Sequence, residues 1–155
     1  GDYNLKLNLV GAGSELENLR KLSMGSNRII FHGPKSGREL DQIFDETDIA
    51  VDALGRHRSG VYYNSSLKGK EYVARGIPVI SAVKTELDYM PEFKYYLTLP
   101  ADDTDISMDD IIAFYEKIYF HNNPNEITLS IRQQTEKKFD YKFGFEDIIR
   151  TVLCQ

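Results

Sequence analysis

Apolar positions along this chain fall into short runs that alternate between two spacings. Runs near 5–10, 28–32, 48–53, 78–82 and 95–99 have the length of strands. Between them, segments near 14–23, 37–45 and 65–75 place apolar residues three and four apart, the repeat of a helix with one buried face. Such alternation with short links implies right-handed crossovers, and it predicts an α/β fold whose parallel sheet carries helices on both faces. After Pro100 the pattern turns helical, near 107–121, 125–138 and 143–153, with Asn122-Asn123-Pro124 as a break. No internal repeat or low-complexity linker divides the sequence, so 1–155 reads as one three-layer α/β/α domain with a helical tail.

The run from Ser65 to Ile80 is the most informative stretch. Ser65 or Ser66 can cap a helix, because a hydroxyl accepts from first-turn amides that lack intrahelical partners. Gly76 suits the left-handed stop of that helix. Pro78 prevents its continuation, and Val79-Ile80 fit a strand covered on both faces. Leu67, Glu71 and Ala74 share one stripe of the helix, which is expected to be partly core-facing, with Lys70 near the same apolar arc. The plain reading of Glu71 is a boundary residue paired with Lys68 or Arg75; the functional reading is a carboxylate aimed at a ligand.

Composition changes the picture little. A 155-residue chain can bury roughly 70% of its unfolded surface. A hydrophobic content of 41% with 28% charged residues excludes a disordered chain. The net charge of −5 provides no global basic field for nucleic acid. One cysteine, Cys154, permits no internal disulfide, as expected in a reducing compartment. No apolar run approaches the ~20 residues needed to cross a bilayer, and the polar start carries no secretory h-region. A cytoplasmic protein is expected, peripheral at the inner face of the membrane in its full-length form.

The run Leu67 to Ile80 resembles the helix–glycine–strand signature of the nucleotide-sugar half of retaining GT-B glycosyltransferases, the group 1 type. Lys68, Glu71, Tyr72, Ala74, Gly76, Pro78, Val79 and Ile80 fall in register with its K-x-x-E-Y-x-A-x-G-x-P-V-I form. Leu7 to Gly13 with Glu15-Leu16 is similar to the family's second strand and glycine turn. Ile29 to Gly33, with Glu39-Leu40 and Ile43-Phe44, resembles its next strand and helix, and Thr47 to Val51 the strand after that. Together these segments cover roughly residues 5 to 120 in family order.

The resemblance implies a Rossmann-like C-terminal GT-B half that binds an NDP-sugar and passes the sugar to a glycan or lipid-linked acceptor. Retention of configuration without a metal or other cofactor, as in bacterial polysaccharide biosynthesis, is implied with it. Glu71 matches the second carboxylate of the family's E-x7-E motif, which accepts hydrogen bonds from the ribose hydroxyls. The first carboxylate falls at Tyr63, a departure that changes how the donor sugar is gripped. The amides of Ser65, Ser66 and Leu67 open the helix as an anion site for the diphosphate, and Lys68 adds a point charge. Arg56 and Arg58 lie in the loop after the 48–53 strand, where α/β sheets bind ligands, and can contact phosphate or an acidic sugar. Gly13 allows close approach at its turn, and Gly33-Pro34-Lys35-Ser36 is expected to sit near the base of the nucleotide, mostly through backbone groups. For Lys68, Arg56 and Arg58 the alternative is a solvated surface cation. The family's first strand, with its G-R and K-G motifs, has no counterpart here, nor has the acceptor domain. A fragment inactive alone is therefore expected.

Three other readings fall away. Gly11-Ala12-Gly13 is no dinucleotide fingerprint, because Leu16 replaces the third glycine and His32-Gly33 stand where an acidic residue is needed. Asp102-Asp103-Thr104-Asp105 contains a D-x-D triplet, better explained by Asp105 or Ser107 capping the next helix. His32, His57 and His121 show no metal-ligand spacing. The aromatic tail (Phe114, Tyr115, Tyr119, Phe120, Phe139, Tyr141, Phe143 and Phe145) reads mostly as core, with part of it an exposed face that favours self-association. A non-enzymatic α/β binding module and a nucleotide-sugar epimerase of the same fold are the competing functions.

Overall fold

The structure is a computed structural model that describes residues 3–143 together with 145, 149 and 152. It has the α/β class expected, with every strand pairing parallel. The strands form two sheets, β1–β2 and β3–β4–β5, where one sheet was expected. The chain divides correspondingly into two compact units, Gly1–Thr47 and Asp48–Gln155.

In the first unit β1 (Leu7–Val10) runs parallel to β2 (Ile29–Gly33), joined through α1 (Leu16–Leu22) and followed by α2 (Gly37–Asp45). Leu7 faces Ile29 and Leu9 faces Phe31; the register then shifts, so that Val10 faces Gly33. None of the described residues in this unit is fully buried. Two paired strands with two short helices enclose too little volume for a core.

The second unit holds the core. β4 (Val79–Ser81) lies between β3 (Ala50–Val51) and β5 (Tyr96–Thr98) and is fully buried along its length. Helix α3 (Leu67–Arg75) leads into β4, and α4 (Met108–Tyr119) and α5 (Pro124–Phe139) follow β5. Val73, Val79, Ile80, Phe114, Ile118, Ile127 and Ile131 belong to one buried apolar cluster. Burying a residue of this kind contributes roughly 1.5–3 kcal/mol. Local chemistry sets the boundaries of these helices. Ser107 accepts from the Asp110 amide at the start of α4, so it, not Asp105, is the cap. Asn123 caps α5, where Pro124 occupies the first turn.

The helix expected near 143–153 falls largely outside the described residues, as does Cys154. Of the aromatic tail, Phe114 is buried and Tyr115 stacks on Tyr119, while Phe120, Tyr141 and Phe145 are exposed.

Candidate functional site

The first turn of α3 faces the loop that follows β3. Ser66 is the N-cap: its Oγ accepts from the Gly69 amide at 3.4 Å and donates to Asp52 Oδ1 at 2.8 Å. The Asp52 side chain is only 1% exposed, and Lys68 Nζ stands 3.9 Å from Oδ1. A buried carboxylate thus occupies the positive end of this helix, where the backbone dipole favours it. Gly69 makes room for it, because a β-carbon there would lie 3.4 Å from Asp52 Oδ2. Of the three amides expected to receive an anion, that of Ser66 already donates to the Asn64 carbonyl at 3.1 Å.

Beside this cap, Lys70 Nζ donates to Ser65 Oγ at 2.6 Å, and Ser65 donates to Glu86 Oε1 at 2.5 Å. Partial burial of Glu86 opposes its ionisation. The hydrogen bonds from Ser65, from its own amide and from Lys70 outweigh that, and its carboxyl is held below the usual range. Asp52, Ser66, Thr85, Glu86 and Tyr96 help to line a cavity of about 10 Å³, space for one water.

The face expected to be core-directed is corrected by the structure. Leu67 is 82% exposed, and Glu71 and Ala74 also face solvent. The buried positions are Gly69, Val73 and Gly76, each two residues further on and so about 200° around the helix. Val73 belongs to the apolar cluster with Val79 and Ile80, and that packing fixes the rotation of α3. Glu71 Oε1 accepts from Arg75 Nε and Nη2, both at 3.1 Å. Tyr63, at the first-carboxylate position, is exposed and tilts against Tyr89 with ring centroids 6.3 Å apart.

Arg56, His57 and Arg58 form a single 3-10 turn (Arg56–Ser59) closed by Gly60 at φ 70°. Arg56 is exposed; Arg58 and His57 both bond Asp103. These hydrogen bonds, His57 first and Arg58 next, hold the Asp103 carboxyl below the usual range. Asp102 accepts from the amide and hydroxyl of Thr104 at 2.9 and 2.5 Å. Asp103 of the D-x-D triplet is therefore engaged within the chain, and no group of three or more His, Cys, Asp or Glu side chains is placed to hold a metal among the described residues.

Gly13 and Gly33 belong to the first unit. Gly13 accepts from the Leu16 amide at 3.2 Å as α1 begins, and Gly33 has φ 69° and accepts from the Gly11 amide at 2.9 Å. Beyond Gly33, a shallow cleft of about 200 Å³ is lined by His32, Lys35, Glu39, Gln42, Ile43 and Glu46.

Asp52 was not singled out from the sequence, and Asp103 only as a member of the D-x-D triplet, not as a partner of His57 and Arg58. Asp52 had a readable signal, as an acidic residue at the carboxyl end of a strand. Asp103 had none, because its partners lie some forty-five residues away.

No protein-family profile, curated protein or solved structure matches this chain. Among the described residues no helix is long and apolar enough to cross a membrane.

Proposed function

We propose that this chain is the nucleotide-sugar-binding part of a retaining GT-B glycosyltransferase, which moves a sugar from an NDP-sugar to a glycan or lipid-linked acceptor. The observation that carries this reading is the unit from Ser66 to Ile80. A serine-capped helix ends at a left-handed glycine and feeds a buried parallel strand, with the K-x-x-E-Y residues on the helix. Strand order supports it as well. The doubly wound order 3-2-1-4-5-6 without its first strand leaves one parallel pair and one parallel triplet, as in the two sheets here.

In this reading Glu71 accepts hydrogen bonds from the ribose hydroxyls in competition with Arg75, and the basic side chains Lys68, Arg56 and Arg58 meet the diphosphate. The sugar passes to the acceptor with its configuration retained and without a metal as the nucleoside diphosphate leaves, and Tyr63, tilted against Tyr89, takes the sequence position of the family's first carboxylate. The exposed Glu71–Arg75 pair favours a second reading, a non-enzymatic α/β module in which Glu71 is only a surface residue. An epimerase of the same fold shares the first reading's ligand.

Titration calorimetry with UDP-, GDP- and ADP-sugars on the wild type and Glu71→Ala separates the two. The transferase reading expects one nucleotide class to bind, and its affinity to fall about tenfold or more in the variant. Equal affinity in both proteins, or binding of no nucleotide, supports the module.

A further inference from the structure

Two hydrogen bonds and an ion-pair contact converge on one oxygen of Asp103: Arg58 Nε at 2.7 Å and His57 Nε2 at 3.1 Å bond it, and Arg58 Nη2 lies 2.6 Å away. We infer that Arg58 and His57 form a binding site for a phosphate or diphosphate group, and that Asp103 occupies it in the free protein as an internal anion. The inference deepens the donor-binding reading, on which its ligand class rests.

The donors are organised from within their own turn. The Gly60 amide closes on the His57 carbonyl at 2.9 Å, and the Val61 amide closes on that of Arg56 at 3.1 Å. The His57 side chain is 11% exposed, and its Nδ1 is buried with no hydrogen-bond partner. Nε2 is thus the ring nitrogen turned to the anion, and it donates in the tautomer that serves an ionised carboxylate. Arg58 presents its Nε and Nη2 edge, the fork that matches two oxygens of a phosphate better than one of a carboxylate. Arg56 is exposed on the same turn and adds a further positive charge for a multiply charged ligand.

The occupant is held loosely by comparison. The Asp103 side chain is 66% exposed and sits in an exposed segment outside any helix or strand. An exposed ion pair of this kind is weak, and a ligand with more negative charge displaces it. Asp102 bonds Thr104 independently, so the segment keeps its local turn when Asp103 swings away.

Inorganic pyrophosphate is the probe, since it carries no ribose and makes no demand on Glu71. Its affinity is measured by calorimetry, and its position by the His57 ring signals in NMR, assigned with His57→Gln. Asp103→Asn is expected to bind about tenfold more tightly than the wild type, with the His57 signals shifting on binding. Asp105→Asn makes the same change in net charge at an exposed position and is expected to match the wild type. Adding Arg58→Gln to Asp103→Asn is expected to abolish the gain. Equal affinity of wild type and Asp103→Asn (including no binding by either), an equal gain in Asp105→Asn, or a gain that survives loss of Arg58 overturns the inference. If Asp103→Asn gains pyrophosphate binding while no nucleotide sugar binds, the site stands and the donor reading fails. Glu71-dependent nucleotide binding without that gain is the reverse case.

Discussion

Gly76 and Thr128 meet so closely that no side chain fits between them. A β-carbon on Gly76 would lie 2.5 Å from the Thr128 methyl, 2.7 Å from its carbonyl oxygen and 2.9 Å from its α-carbon. Gly76 also has φ 80°, a conformation that costs an L-residue about 1 kcal/mol. The glycine that ends α3 therefore also lets the chain pack directly on α5. Gly76→Ala should lose about 3 kcal/mol of stability, read as a lower urea midpoint at unchanged slope. Adding Thr128→Ser removes the methyl but not the carbonyl, so it should restore only part of the loss. Full recovery would mean that the backbone approach is not limiting.

Ser66 and Asp52 should be energetically coupled, because the hydroxyl both caps α3 and donates to a carboxylate with almost no access to water. Ser66→Ala should cost about 2 kcal/mol, combining a lost cap with a buried acceptor left short of a donor. In a double-mutant cycle with Asp52→Asn the interaction term should reach about 1 kcal/mol. Additive losses would show that the two groups act independently.

Much of this arrangement was legible in the sequence, for identifiable reasons. Short apolar runs and period-3.6 patterns depend on neighbours along the chain, and the five strands and the helices through α5 lie where those patterns placed them. The cap at Ser66 and the stop at Gly76 are equally local. The rotation of α3 was not legible, because Gly69 looks featureless until Asp52 is seen beside it. Leu67 misled in the other direction: an apolar residue next to a cap suggests a buried face, yet the chain leaves it in solvent. Asp103 could not be assigned at all, since its role depends on a turn in a distant segment.

Glu71→Ala should leave stability nearly unchanged. The residue is exposed, and its bond to Arg75 is an i, i+4 pair on a helix surface, an arrangement worth about 0.3–0.5 kcal/mol. Thermal melting of the variant should fall within a degree or two of the wild type, roughly what so small a change permits. A large drop would reveal a structural role and disqualify the variant as a probe of ligand binding.

Acid should act on the α3 cap through Glu86. Hydrogen bonds from Ser65, its own amide and Lys70 outweigh the opposing effect of burial, so its folded-state pKa lies below the unfolded value. Folding then releases a proton at mildly acidic pH. The associated stability is fully present above the unfolded pKa and fades as pH falls through the folded one. At pH 7 Glu86→Gln should lose about 1 kcal/mol, a modest figure because solvent still reaches the carboxylate. As pH falls below the unfolded pKa and through the lower folded one, the difference between wild type and variant should shrink towards zero, since the wild-type carboxylate takes up its proton there. Ser65→Ala should flatten the same limb, having removed the hydroxyl that does most to favour the charged form. Asp102 and Asp103 also have lowered pKa values and steepen acid unfolding in both proteins, so only the difference between the two curves isolates Glu86. Chemical denaturation at half-unit pH intervals supplies that difference, and parallel curves down to pH 3 would rule out the cap as an acid-sensitive element.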